Sequence, residues 1–136
     1  MTPADDVLVD TSVWIDHFRR GHQGLADLLA RDGVLMHPHV LLELACGTPP
    51  APRARTLAHL GRLRVARQAS AAELLDFIER ETLYGQGCGL VDVSLLASAR
   101  LTPGARFWTL DKRLAVLAVR LSSVQKRAPG VRRALA

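Results

Sequence analysis

Asp6-Val7-Leu8-Val9-Asp10-Thr11-Ser12-Val13-Trp14-Ile15 opens on a short β-branched apolar run that meets an acid and then continues as a mixed polar and apolar segment. With the polar residues and Gly21 that follow it, the stretch reads as a buried strand, a tight turn and a helix. Leu25, Leu28 and Leu29 give a second helical spacing that stops at Asp32-Gly33, and Val34-Leu35-Met36 is another short apolar run. Pro38 suits the first turn of a helix carried by Val40, Leu41, Leu44 and Ala45 and closed at Cys46-Gly47, with Glu43 in its middle.

Three prolines between Thr48 and Pro52 require a loop. Leu57, Leu60 and Leu63 then recur at a helical spacing among arginines, as one amphipathic helix. Ser70 and Glu73 form a capping box, and Leu74, Leu75, Phe77, Ile78 and Leu83 carry that helix on to Gly85. Gly85-Gln86-Gly87-Cys88-Gly89 reads as a linker. Leu90 to Leu101 is helical again, Pro103-Gly104 turns, Ala105 to Leu110 has strand character, and Asp111 caps a last helix through Lys112-Arg113-Leu114. Val124 is expected to begin one more short edge strand. Short apolar strands separated by helices call for a parallel sheet covered on both faces, so the fold class is α/β. Ligands in such folds bind beyond the carboxyl ends of the strands, where Asp10 and Asp111 stand.

With 136 residues, 49% of them hydrophobic, the chain suits one domain spanning 1–136, with a basic tail from about 125 to 136. Cys46 and Cys88 lie outside any CxxC pair, so neither a disulfide framework nor a zinc knuckle is signalled. No basic region leads into an apolar leader, and no stretch approaches the roughly 18 apolar residues of a membrane span. A cytoplasmic protein without membrane contact is expected. The formal charge of +5 favours polyanionic partners, and 16 of the 18 cations are Arg. Composition by itself fits codon bias equally well.

Taken singly, each acid has an ordinary reading. Asp111 serves as a cap, Asp10 as a turn residue, Asp92 as a first-turn acid favoured by the helix dipole, and Glu43 as a solvated helix residue. Their neighbours shift that balance: Val9 and Val13 flank Asp10, Leu42 and Leu44 flank Glu43, and Val91 and Val93 flank Asp92. Carboxylates drawn toward a core pay desolvation and repel one another, and no basic residue stands within those runs to pair them. A shared hard divalent cation is the economical explanation.

The segments Leu8-Val9-Asp10-Thr11-Ser12-Val13-Trp14-Ile15, Leu42-Glu43-Leu44 with Gly47, Asp92-Val93-Ser94-Leu95-Leu96-Ala97 and Thr109-Leu110-Asp111 occur in that order. Together they resemble the motifs of the PIN-domain nucleases, and the chain's size and motif order are similar to the VapC-type toxins of toxin-antitoxin pairs, from about Val7 to Leu117. The resemblance implies a three-layer α/β/α fold with a short central parallel sheet. It puts Asp10, Glu43, Asp92 and Asp111 in the places of the family's four catalytic, metal-holding acids, with the hydroxyls of Thr11 or Ser12 in the same pocket. It further implies Mg²⁺ or Mn²⁺ as cofactor, RNA rather than DNA as substrate, hydrolysis to a 5′-phosphate and a 3′-hydroxyl, a homodimer, and a cognate antitoxin whose C-terminal segment covers the pocket. One departure stands out: the family often has Ser or Thr opening the Glu43 helix, and here the segment is His37-Pro38-His39.

Arg19, Arg20, Arg53, Arg55, Lys112 and Arg113 are candidate phosphate contacts, each with a solvated helix face as its ordinary reading. A histidine metal site is disfavoured, since His37 and His39 flank a proline with no cysteine near. The glycine run follows a helix, unlike a dinucleotide loop. A phosphatase with Asp10 as nucleophile would want a second Asp at position 12, which is Ser. A receiver domain would want its extra acids after the first strand, and Asp5 and Asp6 precede it. A nonenzymatic nucleic-acid-binding module explains the charge and the arginine-rich stretch from Arg53 to Arg67, but gains nothing from acids in apolar runs.

Overall fold

The computed structural model describes residues 6–125. Within them the strands β1 (Asp6–Val9), β2 (Val34–Met36), β3 (Arg64–Val65) and β4 (Ala105–Trp108) form one parallel sheet in the order β3-β2-β1-β4. The helices are α1 (Thr11–Arg20), α2 (Gln23–Ala30), α3 (Pro38–Cys46), α4 (Arg53–Leu60), α5 (Ala71–Arg80), α6 (Leu90–Leu101) and α7 (Lys112–Gln125). From β1 the chain moves outward to β2 and β3, then returns across the sheet to β4. Right-handed crossovers therefore put α1 to α4 on one face and α5 and α6 on the other. Packing agrees: α1 meets α3, α3 meets α4, and α5 meets α6.

This order makes the gap between β1 and β4 a switch point, the place where an α/β sheet opens a crevice at its carboxyl edge. β1 is apolar because it is covered on both sides, and Leu8 and Val9 are fully buried. Phe107 of β4 is also fully buried beside it, a burial that contributes about 1.5–3 kcal/mol. Register pairs Val9 with Trp108, and the Asp10 N–H donates to the Trp108 carbonyl at 2.9 Å. The segments that follow the two strands thus leave the sheet side by side.

The helix openings follow their sequence signals. Ser70 accepts from the Glu73 N–H, and Glu73 reaches back to the Ser70 N–H, as a capping box requires. His37 takes the cap position that Ser or Thr would fill, its Nδ1 accepting from the His39 N–H at 3.0 Å. The departure from the family pattern is therefore filled by an equivalent acceptor.

Four expectations need correction. Leu63 lies beyond α4, because Gly61 ends that helix, although Leu57, Leu60 and Leu63 all still reach the core. The short strand β3 follows directly, and its two exposed residues, Arg64 and Val65, are too few to show an apolar run. α5 stops at Arg80, well before Gly85. Thr82 takes a left-handed conformation at φ 50°, while the Leu83 N–H donates to Ile78 O at 3.0 Å and the Thr82 N–H to Glu79 O at 3.4 Å. That is a Schellman closure without its usual glycine, with Leu83 buried beneath it. Val124 belongs to α7 and begins no strand. The basic tail with Lys126, Arg127, Arg132 and Arg133 lies outside the described residues.

Candidate active site

β1 and β4 deliver Asp10 and Thr109 to the same point. Asp10 is buried, only 7% exposed, and both Ser12 and Thr109 donate to its Oδ2, at 2.8 and 2.6 Å. The hydroxyls are held in turn: Ser12 Oγ accepts from the Leu110 N–H at 3.0 Å, and Thr109 Oγ1 accepts from the Asp111 N–H at 3.0 Å. A buried carboxylate needs such partners, and charge-assisted bonds of this length are the strong ones. Asp10 Oδ1 takes neither bond.

Asp111 follows β4 and uses Oδ1 as the cap of α7, accepting from the Arg113 and Leu114 N–H groups at 3.0 and 3.2 Å. Asp92 stands in the first turn of α6, where its Oδ2 accepts from the Gly89 N–H at 3.3 Å. Its carboxyl is held above the usual carboxylate range. Burial is the main cause, and the charges of Asp10 and Asp111 add to it against the opposing Gly89 bond and Arg113. Asp10, Asp92 and Asp111 therefore share one electrostatic neighbourhood. Glu43 is joined to it through Thr11, whose hydroxyl donates to Glu43 Oε1 at 2.6 Å.

Glu43 differs from the expectation of an acid drawn into a core: it is exposed on α3, and Leu42 beside it is 61% exposed. An apolar neighbour in sequence is no guarantee of an apolar neighbour in space when the helix face points outward. Glu43 instead lines a cavity of about 300 Å³ with Ile15, Phe18, Arg19, Leu44 and Gly47.

Among the described residues, no three His, Cys, Asp or Glu side chains converge tightly enough to hold an ion by themselves. Mutually repelling carboxylates, one of them with its ionised form disfavoured by burial, are nonetheless a donor set that suits a hard divalent cation. Magnesium in particular uses one or two carboxylates and completes its shell with water and substrate phosphate.

The six candidate phosphate contacts separate. Arg19 lines the Glu43 cavity, Lys112 opens α7 on the surface, and Arg113 lies 3.7 Å from Asp111 Oδ2. Arg20 is paired with Asp16 on its own helix. Arg53 is turned inward on the chain, donating to Ala45 O at 2.6 Å and Gly47 O at 3.3 Å, where it satisfies carbonyls at the end of α3. Arg55 is exposed on α4. Thr109 is the site residue that sequence reasoning missed. Its signal was its place two residues before Asp111, at the end of a strand.

The PIN domain family model matches residues 7–120. Ribonuclease VapC32 of Mycobacterium tuberculosis, in both strain CDC 1551 / Oshkosh and strain ATCC 25618 / H37Rv, is 44% identical over 108 residues. That match covers 79% of this chain and 86% of the relative.

Proposed function

Since this chain belongs to the PIN-domain family, in its VapC-type branch, we propose that it is a metal-dependent endoribonuclease, the toxin of a pair whose cognate antitoxin holds it inactive. The observation that carries the reading is the doubly gripped Asp10 at the β1–β4 switch point, with Asp92 and Asp111 beside it. A binding module has no use for a buried acid held so firmly.

Asp10, Asp92, Asp111 and Glu43 would together hold Mg²⁺ or Mn²⁺. Ser12 and Thr109 hold Asp10 in one orientation through its Oδ2, and Thr11 holds Glu43 through its Oε1, so that each acid would be preset to receive the ion. When bound, the cation lowers the pKa of water and neutralises charge on the phosphate under attack. In-line attack by water then leaves a 5′-phosphate and a 3′-hydroxyl, with no demand on the 2′-hydroxyl. Arg19, Lys112 and Arg113 supply cations along the approach to the acids, where an RNA backbone needs them. The VapC-type likeness supports a homodimer, cytoplasmic action, and an antitoxin segment lying over the acids. Among the described residues no helix is long and apolar enough to cross a membrane.

The test is cleavage of a mixed RNA pool by the purified protein with Mg²⁺ or Mn²⁺, with EDTA, and with Asp10→Asn purified identically. Cleavage that needs both the metal and Asp10 is expected. RNA that binds but is never cut under either metal, or a variant that cuts as well as its parent, replaces this reading with a nonenzymatic binding module.

A further inference from the structure

In the sequence, Gly85 to Gly89 reads as a linker, yet in the structure its middle glycine supports a side chain from another element. Gly87 has φ +80°, and a Cβ placed there would lie 2.1 Å from Arg113 Nη1 and 3.0 Å from Cζ. The guanidinium therefore rests against bare backbone, in space that any side chain at 87 would occupy. Its other end faces the acids, with Nη2 3.7 Å from Asp111 Oδ2. That separation is beyond hydrogen-bond range, whereas a guanidinium placed to neutralise a carboxylate forms paired bonds near 2.8 Å. Among the described residues, Arg113 thus reaches the site with only this long ion pair to Asp111, and its side chain is 54% exposed. Its charge is still felt there, since it opposes the upward shift of the Asp92 carboxyl.

We infer that Gly87 is a seat for Arg113, holding its guanidinium at the rim of the Asp10, Asp92 and Asp111 group, where it grips the phosphate under attack. This rests on the ribonuclease reading and assigns one cation of that site a defined task. Acids that gather a divalent ion also repel RNA, and a permanently charged planar donor beside them offsets that repulsion where charge develops. Gly87, and not the rest of the glycine run, is then part of the substrate site, bare so that one long side chain can cross it.

The loop supplies its own control. Gly85 also has a positive φ, +70°, but nothing lies within 4 Å of a Cβ placed there. Gly85→Ala and Gly87→Ala therefore share backbone strain, and only the second displaces Arg113. The two are compared with Arg113→Ala and with Gly87→Ala/Arg113→Ala, by RNA cleavage in Mg²⁺ and by binding of the same RNA in EDTA across a salt series.

Gly87→Ala and Arg113→Ala are each expected to lower kcat about a hundredfold and to reduce the salt slope of binding by about one. Gly85→Ala is expected to stay within about twofold of the parent, and Gly87→Ala to add little once Arg113 is gone. Equal cleavage and equal binding by the two glycine variants overturn the seat. Arg113→Ala that cuts as fast as the parent, or faster, overturns the grip on phosphate. A parent protein that cuts no RNA fails the ribonuclease reading instead, and the EDTA binding series still decides whether Gly87 seats Arg113 against RNA.

Discussion

Thr109→Val removes one oxygen and leaves the shape of the site unchanged. Thr109 is 4% exposed, and its hydroxyl donates to Asp10 Oδ2 at 2.6 Å while accepting from the Asp111 N–H at 3.0 Å. Valine fills the same volume, so no cavity forms and the loss is polar. A buried hydrogen bond to a charged group is worth about 1.5–3 kcal/mol and a neutral one about 0.5–1.5 kcal/mol, giving an expected destabilisation of about 2–4 kcal/mol. For a chain of this length that lowers Tm by roughly 10 °C. Ser12 alone then holds Asp10, whose carboxylate can swing out of line, and misplacement of a catalytic group by about 1 Å costs roughly a hundredfold in rate. Calorimetry and RNA cleavage in Mg²⁺ check both numbers, with kcat falling and KM for RNA unchanged, since Thr109 is buried away from the substrate. Thr109→Ser, which keeps the hydroxyl, restores most of both. In an Asp10→Asn background the stability loss shrinks by about 1 kcal/mol, because the bond is no longer charge-assisted. A Thr109→Val protein within about 2 °C and twofold of the parent would refute the reasoning, as the hydroxyl would then neither anchor Asp10 nor support the fold.

Burial and the neighbouring His39 push the His37 imidazole down from 6.5 to about 4. His37 is neutral in the fold, so its contribution is complete above about pH 6.5 and is lost as the pH falls toward 4, by about 3 kcal/mol in all. Denaturant melts from pH 7 to 4 should show that loss in the parent and much less of it in His37→Asn, where a neutral acceptor keeps the cap; parallel curves would sink the assignment. Because burial and the charges of Asp10 and Asp111 disfavour ionised Asp92, Asp92→Asn should raise the Tm of the metal-free protein at pH 7 while abolishing cleavage. The parent should gain about 2.7 kcal/mol from Mg²⁺ at a hundred times its Kd, and the variant much less; equal gains in the two remove Asp92 from the ion site. Arg53→Ala should cost about 0.5–1 kcal/mol through the freed carbonyls of Ala45 and Gly47 and leave RNA affinity unchanged. Weaker RNA binding at unchanged stability would return Arg53 to the substrate surface.

Local patterning made most of this protein legible. β1 and β2 announce themselves as apolar runs too short for helices, β4 as a short aromatic stretch interrupted by Arg106, and the Ser70 and Glu73 pair marks the start of α5 by chemistry confined to four residues. Asp10 and Asp111 could be placed at strand ends because the element order already demanded a parallel sheet. Signals of this kind are short-range, and they failed where the decisive contact was not local. Thr82 closes α5 in a left-handed turn that glycine usually takes, because Leu83 gains burial beneath it. Arg64 and Val65 are a strand only because β2 offers an open edge.

The geometry of the candidate site belongs to tertiary structure throughout. Thr109 and Asp10 are 99 positions apart, and only the pairing of β1 with β4 brings the hydroxyl to the carboxylate. Arg53 and Arg113 are both exposed arginines in a basic sequence. One is spent on the end of α3, while the other lies across Gly87 beside the acids. Sequence by itself determined which residues are apolar, which can cap and which carry charge. Which charge meets which depended on crossover connections and strand register, and those are set when distant segments bury their apolar faces together.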